Sequence, residues 1–164
     1  MQTLLTPWRF AYISKTASEP VGCFFCAAAE QPDDPGRLVV GATSHHLVML
    51  NRYPYTNGHL MVAPLSHLAS PEGADAEAVA EFWPLVLKCQ RVLQRAYSPD
   101  GFNMGINLGR AGGAGVPEHF HFHIVPRWKG DTNFMSVVAE TRLLPEEPEQ
   151  IRERLVPLFE DEER

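Results

Sequence analysis

A chain of 164 residues with 45% hydrophobic and 21% charged side chains is long enough to bury a hydrophobic core, and its composition is globular, neither disordered nor membrane-embedded. A formal net charge of -6 argues against broad electrostatic binding to nucleic acid, so an anionic substrate has to be held locally. The opening stretch MQTLLTPWRFAYISK has no long apolar run, which predicts neither signal peptide nor membrane helix and makes the cytoplasm the expected location. The chain reads as one domain over 1–164, with an arm of about 1–36, a core of about 37–130 and a tail of about 131–164.

In chain order, EQPDDPGR from Glu30 to Arg37 is an exposed loop rich in Pro, Asp and Gly. Leu38 to Ala42 and Leu47 to Asn51 form a hairpin around Thr43-Ser44-His45, where His45 and His46 are expected to face solvent. A third strand runs from Gly58 to Pro64, after the turn that begins at Pro54. A helix spans Asp75 to Tyr97, with Val79, Phe82, Val86, Cys89 and Leu93 on one face, and Pro84 bends it or marks a late start. Gly101 to Leu108 and His119 to Pro126 are two further strands, joined by the loop GRAGGAG. The acidic tail from Glu146 closes in a short helix, for which Pro148 suits the first turn. Hairpin strands with segregated helices make an α+β protein with an antiparallel sheet.

The most informative segment is HFHFHIVPRW. Alternation in a strand puts His119, His121 and His123 on one face, each about 6–7 Å from the next, while Phe120, Phe122 and Ile124 take the other. Neutral imidazole is a nucleophile and its protonated form donates to phosphate oxygens, so the face suits phosphoryl or nucleotidyl transfer. The plain alternative is a strand edge with exposed imidazoles. Against it stands the loop just upstream, in which Gly109, Gly112, Gly113 and Gly115 allow backbone amides to approach a phosphate.

HFHFHIV resembles the histidine-triad signature, His-φ-His-φ-His-φ-φ, of a superfamily of nucleotide hydrolases and transferases. The resemblance extends upstream to Asn51-Arg52-Tyr53-Pro54 and Gly58-His59-Leu60-Met61-Val62-Ala63-Pro64, covering roughly Leu38 to Trp128. Through LLTPWRFAYI, NRYPYTNGHLMVAP and HIVPRWKGDTNF it is similar to the bacterial branch of diadenosine tetraphosphate phosphorylases. It implies a five-stranded antiparallel sheet with one long helix and a short C-terminal helix, and a homodimer. Catalysis would fall to His121 as nucleophile on the α-phosphorus, to His123 as donor to phosphate or leaving group, and to His119 as the residue orienting the site. A glycine-loop carbonyl would fix the tautomer of His121. Asn51 would hold ribose, Asn107 with the amides of Gly113 and Gly115 the phosphate, and His59 is either a pocket residue or a satisfied core histidine. Many members carry Gln or Ser where this chain has Gly115, so a side-chain donor is missing there.

Cys23 and Cys26 are spaced as half of a zinc clamp, as two buried thiols or as a redox pair. The resemblance completes a closed structural zinc site with His67 and His119, which is the preferred reading, and no organic cofactor is expected. Cys89, on the apolar helix face, is assigned to the core. Phe10, Tyr12, Tyr53 and Trp128 are available to an adenine or to packing, and Arg127 and Lys129 to distal phosphates or to nothing specific. Three functions follow: phosphorolysis of diadenosine tetraphosphate by inorganic phosphate to ADP and ATP, hydrolysis of dinucleoside polyphosphates or phosphoramidates to AMP, or nucleotide binding without turnover.

Overall fold

The computed structural model describes residues 22–131 and 146–162. Five strands, β1 (Val39–Ala42), β2 (His46–Leu50), β3 (Leu60–Pro64), β4 (Gly101–Ile106) and β5 (Phe122–Arg127), form an antiparallel sheet in the order β1-β2-β3-β5-β4. Among the described residues three α-helices accompany it: α1 (Phe24–Glu30), α2 (Ala76–Tyr97) and α3 (Pro148–Asp161). The expected α+β architecture is present. The arm also holds α1, for which the sequence offered no periodic pattern.

Period-two alternation explains the two faces of the sheet. Val48, Leu50, Leu60, Val62 and Ile124 point to one side and are buried beneath Val86, Cys89 and Leu93 of α2 and Ile151, Leu155 and Phe159 of α3. The opposite face carries Leu47, Met49, Met61 and Ala63, covered by Phe25 and Ala28 of α1. Met61 pairs with His123, and His123 with Gly105, so the histidine of β5 belongs to this second face.

Asp75 caps α2 by accepting from the Ala78 amide at 2.7 Å, and the helix ends where Ser98 turns left-handed at φ 45. Pro84 lies inside α2 without marking a late start. It and Ala80, whose carbonyl loses its partner, are both exposed, where water can serve that oxygen. The buried face holds Val86, Cys89 and Leu93 as expected. Val79 departs from it at 58% exposure, because the first two turns contribute only Ala78 to the buried set. Close docking of α3 requires Gly41, where a Cβ would stand 2.3 Å from the Phe159 ring.

The β1–β2 turn differs from expectation. His46 opens β2 and is 2% exposed, its Nδ1 3.0 Å from Glu81 Oε1, while His45 Nδ1 lies 3.2 Å from Glu81 Oε2. Thr43 Oγ1 also donates to that carboxylate. These bonds hold Glu81 down at about 2, against the desolvation that would raise it. Hairpin residues read as solvated thus clamp the turn to α2.

Candidate functional site: a histidine cluster at the end of the sheet

The strand carrying the triad begins at Phe122, three residues later than expected, so His119 and His121 occupy an irregular lead-in. The cause is a competing set of bonds. The Phe120 amide donates to Leu68 O at 2.7 Å, and β3 pairs with β5 only from Phe122 onward. The three imidazoles still gather on the α1 side. Phe25 stands 5.0 Å from the His119 ring and 4.8 Å from that of His121, and His121 and His123 are 4.8 Å apart, closer than a regular strand would place them.

Hydrogen bonding sets the tautomers, because a carbonyl oxygen only accepts and a backbone amide only donates. His121 Nδ1 lies 3.1 Å from the carbonyl of His119, so Nδ1 carries the proton and Nε2 holds the lone pair. The acceptor is His119 itself, correcting the expectation of a glycine-loop carbonyl. Burial pushes the His121 pKa down, which keeps the imidazole neutral and nucleophilic near neutral pH.

His123 is set the opposite way. The Tyr55 amide donates to His59 Nδ1 at 3.2 Å, and His59 Nε2 lies 3.0 Å from His123 Nδ1. With Nδ1 of His59 accepting, its Nε2 donates, His123 Nδ1 accepts, and the neutral His123 carries its proton on Nε2. His59 is fully buried, with the Tyr55 ring stacked on it at 4.9 Å. It is a satisfied core histidine, the second of the two readings above, and it acts on His123.

His119 looks away from these two. Its Nε2 donates to Pro64 O at 2.8 Å, leaving Nδ1 as a lone pair 3.1 Å from Cys23 Sγ and 3.7 Å from Cys26 Sγ. His67 Nδ1 lies 3.3 Å from Cys26 Sγ, and the four ligand atoms all fall within 4.8 Å of one another. Zn–S and Zn–N bonds of about 2.3 and 2.0 Å require neighbouring ligand atoms about 3.3–3.8 Å apart, so the donor set and its spacing fit zinc. Burial pushes the Cys26 thiol up, with Cys23 adding to it, and burial pushes His119 down; a divalent cation would be met by a neutral imidazole and would draw the thiols to thiolates. The bond from Nε2 to Pro64 O fixes the ring for ligation through Nδ1.

The glycine loop follows β4, where Ile106 pairs with Phe122 and the register carries Asn107 toward His121. Gly109 and Gly113 have φ of 66 and 86, and a Cβ on Gly112 would meet Leu108 O at 2.2 Å, so the tight turn demands glycine. The Gly113 amide donates to Arg110 O at 3.0 Å, correcting its assignment to a phosphate. Asn107 Nδ2 reaches Gly113 O at 3.5 Å. Among the described residues the Gly115 amide has no partner.

Asn51 opens the loop bearing Tyr55 and His59: its Oδ1 accepts from the Tyr53 amide at 2.9 Å and its own amide donates to His59 O. Arg127 is committed to Asp131 at 2.6 Å and to Asn103 at 2.6 Å, which removes it from the phosphate candidates. Cys89 is buried and its thiol is pushed up to about 12 by desolvation, as suits a core residue. Trp128 Nε1 donates to Tyr97 O at 3.4 Å and Tyr53 is exposed; Phe10 and Tyr12 lie outside the described residues. Phe25, Tyr55 and Pro64 were not anticipated. Only the Phe24-Phe25 pair inside the Cys-x-x-Cys offered a signal.

The chain is 34% identical over 154 residues to a protein of Mycobacterium tuberculosis (strain ATCC 25618 / H37Rv) named AP-4-A phosphorylase, covering 89% of this chain and 78% of that one. It is 31% identical to the adenosine 5'-monophosphoramidase hnt1 of Schizosaccharomyces pombe, over 65% of this chain and 75% of the relative. A zinc-bound histidine triad family protein from Mycobacterium smegmatis superposes with a TM-score of 0.66 at 26% identity, covering 85% of this chain and 94% of that structure. The HIT domain profile matches residues 34–130, and the chain belongs to the HIT family.

Proposed function

We propose that this protein is a nucleotidyltransferase that cleaves dinucleoside polyphosphates by phosphorolysis. The observation that carries the reading is the complementary pair of tautomers, with a lone pair on His121 Nε2 beside a proton on His123 Nε2. On diadenosine tetraphosphate, His121 Nε2 attacks one α-phosphorus, the N–P bond forms and the P–O bond to the bridging oxygen breaks. ATP leaves as His123 donates to that oxygen. An oxygen of inorganic phosphate then displaces the histidine, the P–N bond breaks and ADP departs. Asn107 and the Gly115 amide serve the equatorial oxygens, and Asn51 the ribose. His119 orients His121 through its carbonyl.

Cys23, Cys26, His67 and His119 would hold zinc. With four protein ligands, the metal would supply structural cross-linking between the arm and the lead-in. The reading extends to a homodimer: Val79, Trp83 and Leu87, four residues apart on α2, are 58%, 53% and 40% exposed, and β4 is an edge strand, both surfaces that a second copy would cover.

Phosphorolysis is preferred over hydrolysis on the 34% identity to the phosphorylase, which spans most of both chains. The similarity to the phosphoramidase sustains hydrolysis as the second reading. Incubating the protein with diadenosine tetraphosphate, with and without inorganic phosphate, separates them. ADP plus ATP only with phosphate supports the proposal, and AMP plus ATP without phosphate supports the hydrolase. No turnover would favour nucleotide binding alone. His121→Ala should abolish turnover by a factor of about 10⁴ or more, together with the covalent nucleotidyl-protein seen by mass spectrometry.

A further inference from the structure

If phosphate outcompetes water at His121, something has to bind a second anion beside the nucleotide on a protein whose net charge is -6. The fold narrows the cations that can do so. Arg91, Arg95, Arg127 and Arg154 are paired with Glu162, Asp161, Asp131 and Glu146. Arg37 pairs with Asp34, and Arg52 and Arg152 donate to the carbonyls of Gly36 and Val39. Lys88 is buried with its ammonium 3.7 Å from the Phe159 ring centroid. Among the described residues, Arg110 and Lys129 remain as cations whose side chains have no such partner.

Their positions separate them. Lys129 lies beyond Arg127, at the end of β5 away from the triad and roughly 16 Å or more from Phe122. Arg110 is exposed on the glycine loop, which leaves β4 where Ile106 pairs with Phe122 and ends at the lead-in bearing His119 and His121. Its backbone is fixed there. The Gly113 amide donates to Arg110 O, and the Ala114 amide to Gly109 O at 3.1 Å, so the turn presents this side chain from a defined base.

We infer that Arg110 is the specificity residue of the proposed reaction. It binds first the β-side phosphate of the leaving nucleotide and then, in the place that group vacates, the incoming inorganic phosphate. A planar guanidinium suits this double use, because it meets two oxygens of a phosphate at once. The inference rests on the phosphorolytic reading of the same site.

The test compares wild type, Arg110→Ala, Arg110→Lys and Lys129→Ala on diadenosine tetraphosphate over a range of inorganic phosphate, measuring the KM for phosphate, kcat and the ADP-to-AMP product ratio. Arg110→Ala should raise the phosphate KM and lower the ADP-to-AMP ratio, each by about tenfold or more. Arg110→Lys should recover part of both, since charge returns without the fork, and Lys129→Ala should match wild type. Equal phosphate KM and product ratio in Arg110→Ala and wild type would overturn the assignment, as would an equal loss in Lys129→Ala. A fall in kcat alone, or a loss of melting temperature shared by both Arg110 variants, would also overturn it and leave a structural role. Failure of wild type itself to make ADP sinks the phosphorolytic reading and this assignment together, an outcome visible before any variant is assayed.

Discussion

The two faces of the sheet are held by different forces. The face under α2 and α3 is a continuous apolar core in which no single contact has a required direction. The face under α1 pairs a small apolar cluster with a chain of directional polar contacts, Tyr55 to His59 to His123 and Pro64 to His119 to His121. The first face confers stability through apolar burial and close packing. The second defines where protons sit, and a change there alters chemistry more than folding.

Substitutions can break this contrast. The largest stability loss is expected on the helical face, where Leu93→Ala should cost about 2–5 kcal/mol in denaturant unfolding while the folded fraction keeps its product ratio. On the other face, His59→Phe should lower kcat about 10²-fold, because His123 loses the donor that sets its tautomer. An unchanged kcat would show that His123 needs no such support. Cys26→Ser should reduce zinc bound per chain, measured by mass spectrometry of the metal, and lower the melting temperature of the zinc-loaded protein toward that of chelator-treated wild type. If metal content is unchanged, the four-ligand assignment fails.

The smallest effect is expected at the β1–β2 turn. Glu81 has a folded pKa of about 2, below the ordinary 4.5, so its contribution is present above the unfolded value and is lost as pH falls from about 4.5 toward 2. Its side chain keeps contact with solvent, which limits that contribution to about 1–2 kcal/mol. Glu81→Gln should therefore be less stable than wild type at pH 7, and the two curves should converge in acid. Parallel curves down to pH 2 would mean that the clamp carries no net ionic stabilisation.

What the sequence disclosed follows the same division. Helical spacing located α2 (Ala76–Tyr97), and apolar, β-branched runs between turn signals located the strands, since both signals are local to the chain. The triad was legible as a motif, and Cys23, Cys26, His67 and His119 were assembled only through resemblance to a family. Illegible were the contacts between side chains far apart in sequence: the Glu81 carboxylate that takes in His46, the Phe25 ring against two histidines, the use of the Gly113 amide inside its own turn. Each depends on a direction and a partner that no local pattern records. The late start of β5 belongs here too, because the Leu68 carbonyl that claims the Phe120 amide lies 52 residues upstream.

The irregular lead-in has a consequence for when the protein becomes competent. A regular strand would spend the carbonyl of His119 on its neighbour, whereas departure from the ladder leaves that oxygen to orient the proton of His121. The lead-in itself is moored by contacts with Pro64, 55 residues away, and with Cys23, 96 residues away. Contacts of such separation close late, after local helices have formed. A refolding chain would therefore recover its helical signal before its nucleophile, and reactivity would report completion of the fold.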